Sequence, residues 1–192
     1  MKSLALSLLL LVNSPAFAAE ILAIDSSHSA VTFSWSHFGI SNPVARMERI
    51  EGKVLLDRTD MTKSSIAVTL PLDGLRTGNT FLDGRLKTDE FLDAARYPSI
   101  TFISTKVERL GDNALRVTGD LFVHGVTKSI VLDTRINRIG DNPFRGSKAV
   151  VAGFDADVVL RRSDFGVSKY VPAVTDQLLV HITLGAQTKG LD

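Results

Sequence analysis

The 192-residue sequence contains no cysteine, and that absence removes several chemistries at once. No disulfide can staple the fold, no thiolate can serve as nucleophile or metal ligand, and no thiol is available for lipid attachment. Histidine is scarce as well. His28, His37, His124 and His181 offer no His-x-His or His-x-x-x-His spacing, so no local zinc ligand set exists and no metal is expected. Charge of one sign is also lacking: 22 Lys+Arg stand against 21 Asp+Glu, which excludes the basic footprint of a nucleic-acid binder. The G-x-S-x-G elbow, the G-x-G-x-x-G loop and the P-loop are all missing, so no motif marks a nucleophile or a nucleotide site. With no internal repeat and no Pro/Gly/Ser-rich linker, the chain reads as one domain.

Long apolar runs are missing too, except at the N-terminus. Lys2 precedes a run from Leu4 to Val12 broken only by Ser7, and Ala16-Phe17-Ala18 follows it. This reads as a secretory signal peptide over 1–18, cleaved near Ala18/Ala19 and too short to span a bilayer. A retained N-terminal anchor is the alternative, because one positive charge makes a thin n-region. Lys2 is the only charge in 1–18, so the domain 19–192 is expected to be neutral, soluble and exported.

What is abundant is period-two alternation. In Ala30–Phe38, Val31, Phe33, Trp35 and His37 share one face and Thr32, Ser34 and Ser36 the other. Similar runs over 44–57, 65–72, 100–110, 114–123, 127–139, 149–161 and 176–186 bring the expected strands to eight. Gly111-Asp112-Asn113, Gly125 and Gly140-Asp141-Asn142-Pro143 point to short antiparallel connections. Between Asp73 and Ser99, Phe81, Leu82, Leu86, Phe91 and Leu92 fall at near-helical spacing behind possible caps Asn79 and Thr88. One or two short helices are expected there, ending before Tyr97-Pro98. The expected fold is therefore mainly all-β, an eight-stranded antiparallel barrel with a short helical insertion between its third and fourth strands. A two-sheet sandwich is the alternative.

A barrel of this size is either filled by its own side chains or holds one small ligand. Gly52, Gly119 and Gly153 fall within strands, where they either permit a bend or leave room. His37, in phase with Trp35, is either satisfied at the rim or contacts a ligand head group. His181 and the pair Asp155/Asp157 are expected on the outer face. In Arg161-Arg162-Ser163-Asp164-Phe165-Gly166, an arginine either meets an anionic head group or pairs with Asp164 or an acid of the insertion.

Taken in order, these residues resemble a known family. Asp25-x-x-His28-Ser29-x-Val31-x-Phe33, His37-Phe38-Gly39, Asp83-x-x-Leu86-x-x-x-x-Phe91, Tyr97-Pro98-x-Ile100-x-Phe102, Gly119-x-Leu121, His124-Gly125-Val126-Thr127 and Arg162-Ser163-Asp164-Phe165-Gly166 are similar to the YceI-like polyisoprenoid-binding family. The resemblance implies a lipocalin-like barrel in the periplasm, without enzymatic activity or cofactor, holding a long isoprenoid or similar amphiphilic lipid in an internal tunnel. Ala45–Gly52 departs from the pattern, with Met47 and Ile50 where aromatics are usual. The expected lining is Phe33, Trp35, Phe102 and Phe154 by strand parity, with Leu86, Phe91 and Phe165 added by the resemblance; His37, Arg162 and Asp164 are head-end candidates. The expected role is lipid transport, storage or sequestration, with transient membrane contact and a homodimer as further partners and no nucleic acid. Two alternatives stand beside it: a stress-related interaction protein with a packed barrel, and a lipid-modifying enzyme using His37 or Asp164.

Overall fold

The computed structural model describes residues 19–144 and 147–189, so the expected signal peptide lies outside the described residues. The strands are β1 (Glu20–Ile24), β2 (Ala30–Ser34), β3 (Val44–Met47), β4 (Glu51–Leu56), β5 (Ser65–Pro71), β6 (Leu75–Arg76), β7 (Ser99–Arg109), β8 (Ala114–Val123), β9 (Val126–Asp141), β10 (Val150–Arg161) and β11 (Gln177–Gln187). One short helix, α1 (Thr80–Leu86), forms in the insertion.

Eight of these strands close a ring in the order β1-β4-β5-β7-β8-β9-β10-β11, and the ring returns to β1 through Ala23↔Gln187 and Ile24↔Ala186. All the pairings are antiparallel, and closure removes the exposed edges an open sheet would carry. The remaining strands prolong the first three members of the ring. β2 lies on the same edge of β11 as β1, β3 pairs with β2, and β6 pairs with β3.

The stretch 44–57 differs from expectation in being two strands. Between them the Glu48 N–H donates to Gly74 O at 3.0 Å and the Ile50 N–H donates to Ser26 Oγ at 3.0 Å, so both amides leave the ladder for loops distant in sequence. Pairing resumes at Glu51, and Gly52 follows at φ +147°, a backbone shape that a side chain would strain, where a Cβ would collide with the Ala67 carbonyl. Gly119 leaves room, but for the protein itself: the Phe102 ring occupies the space its side chain would need. Gly153 sits at a register shift before Phe154, which makes it a bend.

In the insertion, the Asn79 side chain accepts from the Leu82 N–H at 3.1 Å and caps α1. Asp83, buried, accepts from the N–H and hydroxyl of Thr77 at 2.6 and 2.7 Å and pins the helix to the end of β6. Thr88 starts no second helix; its hydroxyl donates to Arg85 O at 2.8 Å and finishes the first.

The turn joining β1 to β2 is held by polar groups. Ser29, buried, donates to Asp25 O at 2.7 Å and accepts from the Gly185 N–H at 3.0 Å, tying the turn to β11. Hydrogen bonds from the Ser27 hydroxyl and then from His28 lower the Asp25 carboxyl from 3.8 to about 2. Because the folded value is depressed, Asp25 contributes its stabilisation in full above pH 3.8 and loses it as pH falls towards about 2. Urea midpoints measured across this window should fall with acid, and Asp25→Asn should flatten that part of the profile. An unchanged slope in the variant would contradict the assignment.

Candidate ligand-binding cavity

Strand parity decides what faces the interior. Phe33 on β2, Phe102 on β7, Phe154, Val158 and Leu160 on β10, and Leu178, Val180 and Ile182 on β11 point inward, and they border a cavity of ≈ 600 Å³ that runs along the barrel. One end is closed by the buried Met61, on a single 3-10 turn over Met61–Lys63. At the other end stand α1, the loop following β2 and the loop between β10 and β11. Three aromatic residues that line the cavity there are also exposed: Phe38 at 53%, Phe81 at 78% and Tyr170 at 46%. They mark its mouth.

The structure brings the seven expected lining residues, Phe33, Trp35, Leu86, Phe91, Phe102, Phe154 and Phe165, to this one cavity. Trp35 is buried, with its ring 6.0 Å from that of Phe33. Phe165 owes its place to a contact that alternation could not show. The β8–β9 turn has positive φ at both His124 and Gly125, as a two-residue hairpin requires, and His124 Nδ1 donates to Phe165 O at 3.1 Å. The Tyr97 ring packs 5.5 Å from the His124 ring and occupies the space a side chain at Gly125 would need. Three separate pieces of the sequence motif thus meet at one corner.

The head-end candidates divide. His37 stays in phase with Trp35, but regular pairing ends at Ser34. His37 is exposed at the mouth, where its N–H donates to Ser41 O at 2.8 Å. Asp164 does not line the cavity; it is exposed on the 3-10 turn Arg162–Phe165. Arg162 lines the cavity and is buried, but it pairs with neither Asp164 nor an acid of the insertion. Its guanidinium donates instead to the carbonyls of Thr175, Val167, Lys169 and Val174 at 2.8 to 2.9 Å. Burial pushes its pKa down from the usual value, while Asp176 opposes the shift. Arg162 therefore clamps the loop that forms one lip of the mouth. The adjacent lip is tied to it: the Phe38 N–H donates to Ala173 O at 2.8 Å and the Thr175 N–H to Ser36 O at 3.0 Å.

The two carboxylates expected on the outer face differ from one another. Asp157 is solvated and lies 2.7 Å from His181 Nδ1, as expected of an exterior pair. Asp155 departs from that expectation: it is shielded and counts among the residues bordering the cavity, and a hydrogen bond from Thr183 is the main reason its carboxyl lies below the ordinary range.

A charged group at the mouth went unread in the sequence. Arg85 Nη2 lies 2.9 Å from both Glu90 Oε2 and the Tyr170 hydroxyl, and Lys169 Nζ lies 3.1 Å from Glu90 Oε1. Lys169 is the first cause of the lowered Glu90 carboxyl, and Glu90 raises Lys169 in turn. Only the presence of Arg85 directly before Leu86 hinted at this group, since its partners come from a loop far along the chain.

Residues 22–186 match the model of the YceI-like domain. A UPF0312 protein of Pseudomonas savastanoi pv. phaseolicola is 35% identical over 178 residues, covering 92% of this chain and 90% of the relative. Among solved structures, Burkholderia cenocepacia BcnA superposes with a TM-score of 0.75 at 20% identity, covering 84% of this chain and 98% of that one. A polyisoprenoid binding domain from Saccharophagus degradans superposes with a TM-score of 0.68 at 14% identity, covering 88% and 99%. At these identities the two solved structures speak to the fold.

Proposed function

Because the chain belongs to the YceI-like domain family, we propose that it is a non-enzymatic binding protein that holds a long-chain isoprenoid or similar amphiphilic lipid inside its barrel. The observation that carries this reading is the cavity itself: ≈ 600 Å³, elongated, bordered almost throughout by aliphatic and aromatic side chains, closed at Met61 and opening among Phe38, Phe81 and Tyr170. That volume lies within the range of about 300 to 1,000 Å³ common to small-molecule sites. The barrel would desolvate the tail and leave the head at the mouth. Each buried methylene contributes about 0.8 kcal/mol, so one five-carbon unit offers roughly 3 to 4 kcal/mol before ordering costs. Tail length would then be discriminated by the Met61 end rather than by affinity per unit.

The fold shared with a polyisoprenoid binding domain supports this reading. The apolar N-terminal run supports export to the periplasm, where such a protein would transport, store or sequester lipid. Of the two groups the enzymatic alternative would use, Asp164 lies away from the cavity and His37 stands exposed at its mouth. Natively purified protein should yield, on organic extraction and mass spectrometry, one class of long-chain amphiphile at near-stoichiometric amounts. Recovery of a matched substrate and product would overturn the non-enzymatic reading. Protein that carries no lipid and also fails to take up geranylgeraniol would overturn lipid binding itself.

A further inference from the structure

We infer that the cavity mouth selects amphiphiles with an anionic phosphate head, received by Arg85 and Lys169; this rests on the lipid-binding reading above. Arg85 borders the cavity, and its guanidinium carbon lies 5.9 Å from the ring centroids of both Phe91 and Tyr170. Those rings hold the cation in place over the end of an apolar channel. Arg85 and Lys169 share a single carboxylate, that of Glu90, so the cluster carries one positive charge in excess. Among the described residues, only Nη2 of Arg85 is engaged, leaving the Nε and Nη1 donors for a further acceptor.

A tail lying between Phe154 and Phe165 would bring its head to this cluster, since Phe91, Arg85 and Tyr170 border the same cavity at its exposed end. An alcohol or amide head would gain there an ordinary hydrogen bond. A phosphate would gain charge-assisted bonds in the fork geometry that guanidinium groups favour. The cluster is partly solvated, with Arg85 and Lys169 side chains 39% and 44% exposed, so the preference should be moderate and sensitive to salt.

Geranylgeranyl monophosphate, geranylgeraniol and inorganic phosphate, each titrated into delipidated protein, would test this. Trp35 lines the cavity and is the only tryptophan, so its fluorescence reports occupancy. The monophosphate should bind about tenfold tighter than the alcohol at low ionic strength, equivalent to about 1.4 kcal/mol. That ratio should shrink between about 0.01 M and about 1 M salt, as the Debye length falls from about 30 to about 3 Å. In the double variant Arg85→Gln/Lys169→Gln the ratio should approach one, and inorganic phosphate should not compete with either tailed probe. Equal affinity of the two tailed probes for the native protein, or a ratio insensitive to salt, would overturn the inference without any variant. So would an unchanged ratio in the double variant, or competition by inorganic phosphate, which would mark a site for the free ion. Failure of both tailed probes to bind would instead overturn the lipid-binding reading.

Discussion

Arg162→Met is expected to cost roughly 3 to 5 kcal/mol of unfolding free energy, because several shielded carbonyl acceptors would be left without their donor at about 1 to 3 kcal/mol for each one fully buried. Methionine fills much of the same apolar space, so the loss isolates the guanidinium. Four carbonyls, those of Thr175, Val167, Lys169 and Val174, lose their donor together. An orphaned buried acceptor costs about 1 to 3 kcal/mol, and those nearer solvent recover part of this by binding water, which keeps the sum within the stated range. Arg162→Lys should restore less than half, because one ammonium cannot reach acceptors spread around a planar fork. Urea midpoints of the three proteins provide the measurement. A loss below about 1 kcal/mol for Arg162→Met would show that the loop holds without its clamp.

Phe154→Arg should abolish lipid retention. Phe154 projects from β10 into the middle of the cavity, where its strand partners are Leu184 and Ile136. A guanidinium there would face aliphatic walls with few acceptors, and a tail packed against it would strip its hydration. A penalty of at least about 3 kcal/mol is expected, which is more than a hundredfold in affinity. Phe154→Leu keeps the wall apolar and should bind geranylgeraniol within several-fold of the native protein. Circular dichroism of both variants separates loss of the barrel from loss of the site. A folded Phe154→Arg protein that still copurifies with the native amount of lipid would place the binding surface elsewhere.

The barrel was legible because its strands alternate cleanly and its turns carry Gly, Asn and Asp. Phe33, Trp35, Phe102 and Phe154 followed from parity alone and do border the cavity. What escaped depends on contacts between distant segments. The break between β3 and β4 is made by Ser26 and Gly74, and nothing in the alternation of 44–57 records it. β1 was missed because Ile21-Leu22-Ala23-Ile24 is a short continuous apolar run, which lacks the two-residue signature. Arg162 invited a local ion pair with Asp164, yet the carbonyls of a loop up to 13 residues further on satisfy it better. The Arg85–Glu90–Lys169 cluster has the same character: Arg85 meets Tyr170 across 85 residues of chain.

Closure of the ring through β1 and β11 also orders events in time. The Ser29 hydroxyl accepts from Gly185, 156 residues away in the chain, and the two backbone pairings beside it join the first strand to the last. Loop-closure entropy delays contacts of such separation, so this seam should form late, after hairpins such as β7–β8 and β8–β9. A nascent chain therefore cannot enclose a tail before β11 has been made. Until then it presents β10 and β1 as unpaired edges, and for that interval its principal hazard is pairing with another strand.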